Sequence, residues 1–282
     1  MENILTRAVL VKMSISQFNP KRQDGKTTAE VLANKGAKTQ AGVWIKNLID
    51  PKTLDVITST AQAARTEHYR LSLPWADDGW RILPTSIYTK YQDSIRISHK
   101  KFDAETEKFL AQYPQYIEDA KAALNGMFNA ADYPNVSELR NKFQMTVDVS
   151  PLPCGSDFRV TLGNDELAAI QADVDNRVKE ATAQAARDLW NRLASPLRNM
   201  VNKLSEPEAI FRDSLIENLW DIIDLVPALN VTGDMNLAAL AKDCKAKLGG
   251  LSAETLRKNQ TARTQTAQAA DELLKKLEGY IK

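Results

Sequence analysis

The chain has 282 residues, of which 43% are hydrophobic and 26% are charged, values that are ordinary for a globular protein. Its formal net charge of +1 gives no global electrostatic attraction to nucleic acid or to acidic membranes. No apolar run reaches the length of about 18 residues that a membrane span needs, and the first residues lack the pattern of a signal peptide.

The first part of the chain predicts a strand followed by a short helix. Apolar and polar residues alternate along Val9–Ser16, which is typical of a strand with one buried face. Thr27 with Glu30 three residues later matches a capping box, so we expect a helix from Thr27 to about Gly36. The apolar run Val43–Ile49 is too short for its type to be decided from the sequence.

The next stretch contains a helix, a tight turn and a second helix start. We expect a helix over Lys52–Tyr69 that stops near Leu73, because the following Pro74 disfavours helical backbone before it. The sequence Asp77-Asp78-Gly79 predicts a turn, since Asp bonds nearby backbone and Gly accepts positive φ. Pro84 is expected to begin a long helix, because proline is favoured in a first helical turn.

Two interpretations of this loop remain open. In the structural one, the two indoles clamp the loop onto the core and Arg81 pairs with Asp77 or Asp78. In the functional one, the loop is a recognition surface, since interfaces favour Trp and Arg. We expect Trp75 to be the clamp and Trp80 to be exposed. The candidate interaction residues are His68, Arg70, Trp75, Asp77, Asp78, Trp80 and Arg81.

Two long helical patterns follow. Apolar residues recur at helical intervals from Ile87 to Phe128, with Pro114 expected to kink or break the helix. The clearest periodicity runs over Asn164–Leu204, where Pro196 is the one place at which we expect a bend. Shorter amphipathic helices are expected over Glu208–Leu225, stopped by Pro227, over Asn236–Leu248, and from Ser252 to Lys282.

The fold class that these elements predict is mainly α (α+β), with long antiparallel helices, a small antiparallel β-sheet and a C-terminal helical bundle. Met145–Val149 and Phe158–Leu162 alternate as strands and are expected to join Val9–Ser16 in one sheet, because isolated hairpins are marginal in water. We expect an N-terminal α+β region over residues 1–163 and a C-terminal helical region over residues 164–282. The apolar stripes of the long helices favour coiled-coil-like packing within or between chains. Because the stripes of such long helices can exceed what one chain covers, we expect association through helix surface, either with a second copy, as an oligomer, or with another protein.

Several short motifs occur in a fixed order along the chain. They are Ala64-Arg65-Thr66, Leu73-Pro74-Trp75, Asp77-Asp78-Gly79, Asp132-Tyr133-Pro134, Ser150-Pro151-Leu152-Pro153 and Ile210-Phe211-Arg212-Asp213. In this series the chain resembles a family of tailed-phage and bacterial mobile-element proteins of unknown function, over roughly Val11 to Leu225. The resemblance implies no named activity. It implies a protein partner, because such proteins are similar to those encoded near MoxR-type AAA+ ATPases and von Willebrand A-type proteins.

No catalytic, cofactor or metal motif stands out in the sequence. The chain has only two histidines, and its two cysteines, Cys154 and Cys244, lie far apart, which favours a reducing cytoplasm. We therefore expect a non-catalytic interaction or assembly protein in the host cytoplasm, without cofactor or metal. The alternative is a nucleic-acid-binding protein with a basic and aromatic helix face, and an enzyme ranks third. The candidate residues for nucleic acid are Lys90, Arg96, Lys100 and Lys101.

Overall fold

The computed structural model describes residues 4–157, 163–206, 209–250 and 252–280. The protein is mainly helical with a small antiparallel sheet and a C-terminal helical region, as the sequence predicts. The helices are α1 (Ile4–Arg7), α2 (Gly25–Lys35), α3 (Asp55–Leu71), α4 (Tyr88–Leu124), α5 (Val136–Arg140), α6 (Asn164–Ser205), α7 (Ser214–Leu229), α8 (Met235–Leu248), α9 (Ala253–Lys258) and α10 (Gln260–Glu278). The strands are β1 (Ala8–Ser16), β2 (Lys21–Gln23), β3 (Ile45–Asn47), β4 (Leu73–Pro74), β5 (Trp80–Pro84) and β6 (Gln144–Pro151).

The chain folds into two compact units that interleave along the sequence. The first unit comprises Met1–Lys12, Tyr69–Tyr91 and Asp148–Lys282, and the second comprises Met13–His68 and Gln92–Val147. Both units therefore draw on separate segments of the chain. Their boundaries differ from the division between residues 163 and 164 that the sequence suggested.

The larger sheet has the strand order β4–β5–β1–β6. Its antiparallel β1–β5 pairing runs from Ala8 opposite Pro84 to Lys12 opposite Trp80. The prediction that Pro84 begins a helix is therefore wrong: it ends β5, a 3-10 turn over Thr85–Ile87 follows, and only then does α4 start. The strand escaped prediction because its partner β1 lies far away in the sequence, and local pattern does not report such pairing.

The expected sheet is confirmed for two of its three strands. Val9–Ser16 forms most of β1, Met145–Val149 lies within β6, and these strands are neighbours in the sheet. The third predicted strand, Phe158–Leu162, lies outside the described residues.

The first unit has the helical bundle at its centre. The 42-residue helix α6 packs against α7 and α10, and α8 in turn packs against α7 and α10. This confirms the long helix predicted over Asn164–Leu204. The bundle core contains apolar residues that recur at three- and four-residue intervals along α6, namely Leu189, Leu193, Leu197, Met200 and Leu204.

The second unit is built on aromatic and aliphatic side chains of α3, α4 and α5. Its core holds Ile57, Phe102, Phe109, Tyr113 and Leu139 in one cluster. The ring centroids of Phe109 and Tyr113 lie 6.0 Å apart, a spacing typical of favourable aromatic pairs.

Three prolines that the sequence predicts to bend, kink, break or stop helices all lie inside helices. Pro114 is within α4, Pro196 within α6 and Pro227 within α7. The break expected as one possibility at Pro114 and the stop expected at Pro227 are wrong, because α4 and α7 continue past these residues. The kink at Pro114 and the bend at Pro196 stay predictions. Proline removes one hydrogen bond of a helix, and packing of the surrounding turns outweighs that loss. Tyr113, directly before Pro114, is almost completely buried.

The start of α2 also differs from the prediction. Its N-cap is Asp24, whose carboxylate Oδ1 accepts a hydrogen bond of 2.9 Å from the backbone N–H of Thr27. Thr27 is therefore the residue that is capped, not the cap. Gly36 ends the helix with φ +60°, a left-handed conformation that glycine adopts without steric cost, so the predicted end is confirmed.

Candidate interaction site

The predicted loop is a tight turn carried by two short strands of the first unit. In the β4–β5 pair, Leu73 lies opposite Ile82 and Pro74 opposite Arg81. At the turn, the Asp78 carboxylate accepts a hydrogen bond of 3.1 Å from the N–H of Trp80. Gly79 has φ +91°, which a residue with a side chain would adopt only with strain. The turn predicted over residues 77–79 is thus confirmed.

Arg81 is held inside the protein by the residue that follows α3. Its Nε donates to the hydroxyl of Ser72 at 2.7 Å, and one terminal nitrogen donates to the Ser72 carbonyl at 3.0 Å. The guanidinium lies over the ring of Tyr69, 4.7 Å from the centroid. The structural interpretation paired Arg81 with Asp77 or Asp78. The structure pairs it with Ser72, because the β4–β5 register brings the strands together on that side.

A second arginine binds the same backbone segment at the end of α3. Arg192 of α6 donates to the carbonyl oxygens of Arg70 at 3.1 Å and of Ser72 at 2.8 Å. Its Nε lies 2.7 Å from a carboxylate oxygen of Asp188, one helical turn earlier. Burial, followed by the charge of Arg192, lowers the pKa of Arg81. Both guanidiniums thus fix the backbone from which the loop departs.

The two indoles of the loop are each half-buried, so the expected contrast between them is not observed. Trp75 lines a cavity of about 410 Å³ together with Pro153 and with residues of α6 that include Arg177 and Ala181. Trp80 lies under the ammonium of Lys12, 6.0 Å from the ring centroid. Between the indoles, residues 76–79 are exposed. The base of the loop is held by the hydrogen bonds of Arg81 and Arg192, and its acidic tip is exposed to solvent.

His68 is not part of this exposed surface. It lies on α3, in the second unit, and is only 3% exposed. Arg70 is half-buried in the first unit, where its carbonyl is bound by Arg192. The candidate surface therefore reduces to Trp75, Asp77, Asp78 and Trp80, with Arg81 beneath it as a support.

The candidate nucleic-acid residues are all exposed on α4. Arg96 forms an ion pair of 2.8 Å with Asp93, and Nδ1 of the neighbouring His99 lies 2.8 Å from a carboxylate oxygen of Asp103. These carboxylates offset part of the basic character along this helix. Lys90 belongs to the first unit, whereas Arg96, Lys100 and Lys101 belong to the second. The basic helix face stays a prediction.

One buried charge cluster was missed by the sequence analysis. Lys46 is 6% exposed, and its ammonium lies 2.9 Å from both Asp24 and Asp132 and 2.7 Å from the carbonyl of Met127. The hydrogen bond from the Thr27 backbone, followed by that from Lys46, lowers the pKa of Asp24 to about 2. No local signal marks the cluster, since its members come from three distant parts of the sequence.

Within the described residues, no three His, Cys, Asp or Glu side chains are grouped as a metal site. Cys154 and Cys244 are free thiols. Burial raises the pKa of Cys244 to about 12, so this thiol lacks the thiolate character of a nucleophile. No helix among these residues is long and apolar enough to cross a bilayer.

Comparisons with known proteins give no indication of the function. No protein-family model, curated protein or solved structure matches this chain. The resemblance to a phage and mobile-element family therefore stays a prediction.

Proposed function

We propose that this chain is a non-catalytic interaction or assembly protein of a phage or mobile element. In this proposal it works in the host cytoplasm and binds a protein partner through the Trp75–Trp80 loop. A MoxR-type AAA+ ATPase is the candidate partner, on the strength of the family resemblance alone. Self-association through helix surfaces is a further part of the proposal.

The observation that carries the proposal is the exposed acidic turn between two half-exposed indoles. Tryptophan supplies a large contact area with few rotatable bonds, and it is enriched among the residues that dominate binding energy. The exposed carboxylates of Asp77 and Asp78 favour a partner with a complementary basic patch.

The base of the loop is held by several hydrogen bonds. The exposed tip is therefore not needed to hold the loop in place, which favours a role for it in binding a partner. Arg81 and Arg192 bind the backbone before the loop, and β5 is paired with β1 behind it. A loop held in one conformation loses less entropy when a partner binds. The cavity beside Trp75 has room for an apolar side chain of the partner, and Arg177 and Glu180 line it.

The test begins with the wild-type chain purified from host cells and analysed by native mass spectrometry, with and without nuclease. A copurifying protein supports the proposal, whereas material that nuclease removes supports the nucleic-acid alternative. Binding of a MoxR-type ATPase from the same element is then titrated against wild type and Trp80→Ala.

We expect Trp80→Ala to weaken partner binding by about 2 kcal/mol or more, as at other hot spots. Trp220→Ala is the matched control, because Trp220 is also half-buried but lies on α7 and lines neither the loop cavity nor any proposed binding surface. Equal binding by wild type and Trp80→Ala would remove the loop from the proposed interface.

A further inference from the structure

A groove in the second unit lies between strand β3 and the C-terminal part of α4. It has a volume of about 550 Å³, which is within the range of ligand pockets in proteins. Its apolar lining comes from both sides and consists mainly of Trp44, Ile45, Tyr116, Ala120, Leu124 and Met127. This groove is independent of the Trp75–Trp80 loop and of the function proposed for it.

The pairing of β2 with β3 shows which backbone groups face the partner strand. The strands are antiparallel, with Arg22 opposite Lys46. Just beyond the strands, Asp24 N–H donates to the Trp44 carbonyl at 2.9 Å. Hydrogen-bonded and non-hydrogen-bonded pairs alternate along an antiparallel ladder. Asp24 and Trp44 are thus a hydrogen-bonded pair. Arg22 and Lys46 lie two residues further along the strands, so they form the next hydrogen-bonded pair.

Two more contacts agree with this phase. Leu48 N–H donates to the Pro20 carbonyl at 2.7 Å, which is the hydrogen-bonded pair on the other side of Arg22 and Lys46. The N–H of Lys21, one residue out of phase, bonds instead to the Asn19 side chain at 3.1 Å.

It follows that the backbone N–H and C=O groups of Ile45 and Asn47 point away from β2. Both residues line the groove. In the described part of the chain, the smaller sheet consists of β2 and β3 alone, so no third strand covers this edge. An open edge of this kind presents the hydrogen-bonding pattern to which another strand pairs.

The side chains along β3 divide in a way that suits such pairing. Lys46 points to the buried side, where its ion pairs with Asp24 and Asp132 hold the strand in place. Its neighbour Ile45 points to the opposite face because successive side chains alternate, and it is 56% exposed. Trp44, beside it, is 44% exposed. An apolar surface is thus left open next to an open strand edge.

The charges of the groove indicate what it would take. Its lining includes the exposed carboxylates of Asp50 and Asp119, while its one cation, Lys46, is already bonded to two carboxylates. The unmatched charge of the lining is therefore negative.

We propose that the groove binds an extended peptide segment of a partner protein by strand addition to β3. The backbone of the peptide bonds to the outward groups of Ile45 and Asn47. Its apolar side chains lie against the aromatic and aliphatic residues of β3 and α4. A Lys or Arg of the peptide lies near Asp50 and Asp119.

The test uses a displayed library of random heptapeptides, selected on the full-length chain and counter-selected on the Ile45→Pro variant. Proline at position 45 removes an outward N–H and spares the bonds to β2. Gln23→Pro is its matched control, because Gln23 lies opposite Ile45 and its N–H points to the far edge of β2.

We expect the selected peptides to carry alternating apolar residues and at least one Lys or Arg. A synthetic peptide of the selected sequence is then titrated by calorimetry. Its Kd should rise about tenfold or more in Ile45→Pro, because the proline removes one backbone hydrogen bond to the peptide and weakens the adjacent ones. In Gln23→Pro the Kd should stay within about twofold of wild type.

A second pair of variants tests the helical wall without altering the strand. Ala122 and Ala123 are both exposed in the last turn of α4, but only Ala123 lines the groove. Ala123→Arg should weaken peptide binding about tenfold or more by filling the groove and neutralising Asp119, whereas Ala122→Arg should leave it unchanged. Circular dichroism verifies that all four variants fold.

Amide exchange of the peptide complex gives a direct reading of strand addition. The N–H groups of Ile45 and Asn47 should become protected from exchange when peptide binds. The proposal is overturned if no peptide is enriched over the Ile45→Pro bait, if bound peptide leaves these two amides unprotected, or if light scattering shows a second copy filling the groove. Peptide binding should be unaffected by Trp80→Ala, so this test and that of the loop fail separately.

Discussion

Arg81 and Arg192 donate to one and the same acceptor, the carbonyl oxygen of Ser72, at 3.0 and 2.8 Å. Ser72 is fully buried, and it is the residue that links the end of α3 to β4. Two cations therefore meet at a single backbone atom, and the Asp188 carboxylate forms an ion pair with Arg192. The two side chains act as one unit in fixing the base of the loop.

The first prediction is that substitutions of this pair are not additive. Arg81→Met and Arg192→Met should each lower the free energy of unfolding by about 1–3 kcal/mol. The double variant should lose more than the sum of both, by about 0.5–3 kcal/mol. Either single change relieves the repulsion between the cations and leaves Ser72 one donor, whereas the double change leaves that oxygen with neither.

Urea unfolding of the four proteins checks this prediction. Arg198→Met is the control, because Arg198 is exposed and forms a surface ion pair with Glu278, which we expect to contribute about 0–1 kcal/mol. A strictly additive double variant would show that the shared acceptor has no energetic importance.

The second prediction separates the loop tip from the core beneath it. Leu83 is completely buried in β5, so Leu83→Ala should cost about 2–5 kcal/mol of stability. Trp80 is half-buried, so Trp80→Ala should cost clearly less, about 1–2 kcal/mol, in proportion to the surface it hides. Both are measured by thermal unfolding monitored by circular dichroism. Equal losses would mean that Trp80 is a structural clamp.

The third prediction concerns the end of α6. Arg263 of α10 is buried and donates to the carbonyl oxygens of Lys203 at 3.0 Å, Leu204 at 3.2 Å and Ala209 at 3.2 Å, and also to that of Glu206. These include carbonyls of the last helical turn, which lack partners within the helix. We expect Arg263→Met to lower the free energy of unfolding by about 3 kcal/mol or more, since several buried acceptors lose their donor together.

Arg263→Lys distinguishes charge from geometry at this position. A lysine keeps the charge but lacks the planar fork that reaches separate acceptors, so it should recover less than half of the loss. Urea unfolding of both variants measures this. Full recovery by lysine would show that the positive charge alone stabilises the helix end.

The fourth prediction is a pH dependence set by the Lys46 cluster. The pKa of Asp24 is lowered from 3.8 to about 2, so its contribution to stability is complete above pH 3.8 and is lost as the pH falls toward 2. The ion pairs with Asp132 and Asp24 outweigh burial and raise the pKa of Lys46 above 10.5. Its contribution is therefore complete below pH 10.5 and is lost at higher pH.

The free energies of unfolding of wild type and Lys46→Met, measured between pH 2 and 11, test both the acid and the alkaline dependence of stability. The variant should be less stable than wild type near pH 7, and the difference should shrink toward either extreme. Its stability should fall less steeply at acid pH, because Asp24 loses the hydrogen bond from Lys46 that helps to lower its pKa. Lys21→Met, at an exposed position, should follow wild type throughout. A pH-independent difference would contradict this origin.

The sequence predicted those parts of the fold that are written in local pattern. The apolar spacing of α6 and the Asp-Asp-Gly turn depend on neighbouring residues, and both were found as expected. Strand β5 was missed because its conformation comes from pairing with β1, from which it is separated in the sequence by helices α2 and α3 and strands β2, β3 and β4. The open edge of β3 could not be predicted from the sequence for the same reason, because only the register with β2 shows which backbone groups face outward.

For the candidate site, composition located the loop but not its supports. The concentration of Trp, Asp and Arg singled out residues 75–81, yet nothing near them in the sequence points to Arg192 as the second donor to Ser72. His68 was included because it stands close by in sequence, and the helical phase of α3 turns it into the interior.

The interleaving of the two units also sets an order for synthesis on the ribosome. Every residue of the second unit has been translated by Val147, whereas the first unit still awaits Asp148–Lys282. The second unit can therefore complete its fold on the nascent chain, while Ala8–Lys12 and the segment around β5 wait for the helices that will pack beside them. Translation adds about 5–20 residues per second. At that rate the 270 residues between Lys12 and Lys282 take about 14–54 s, and during this time the first unit is only a partial core.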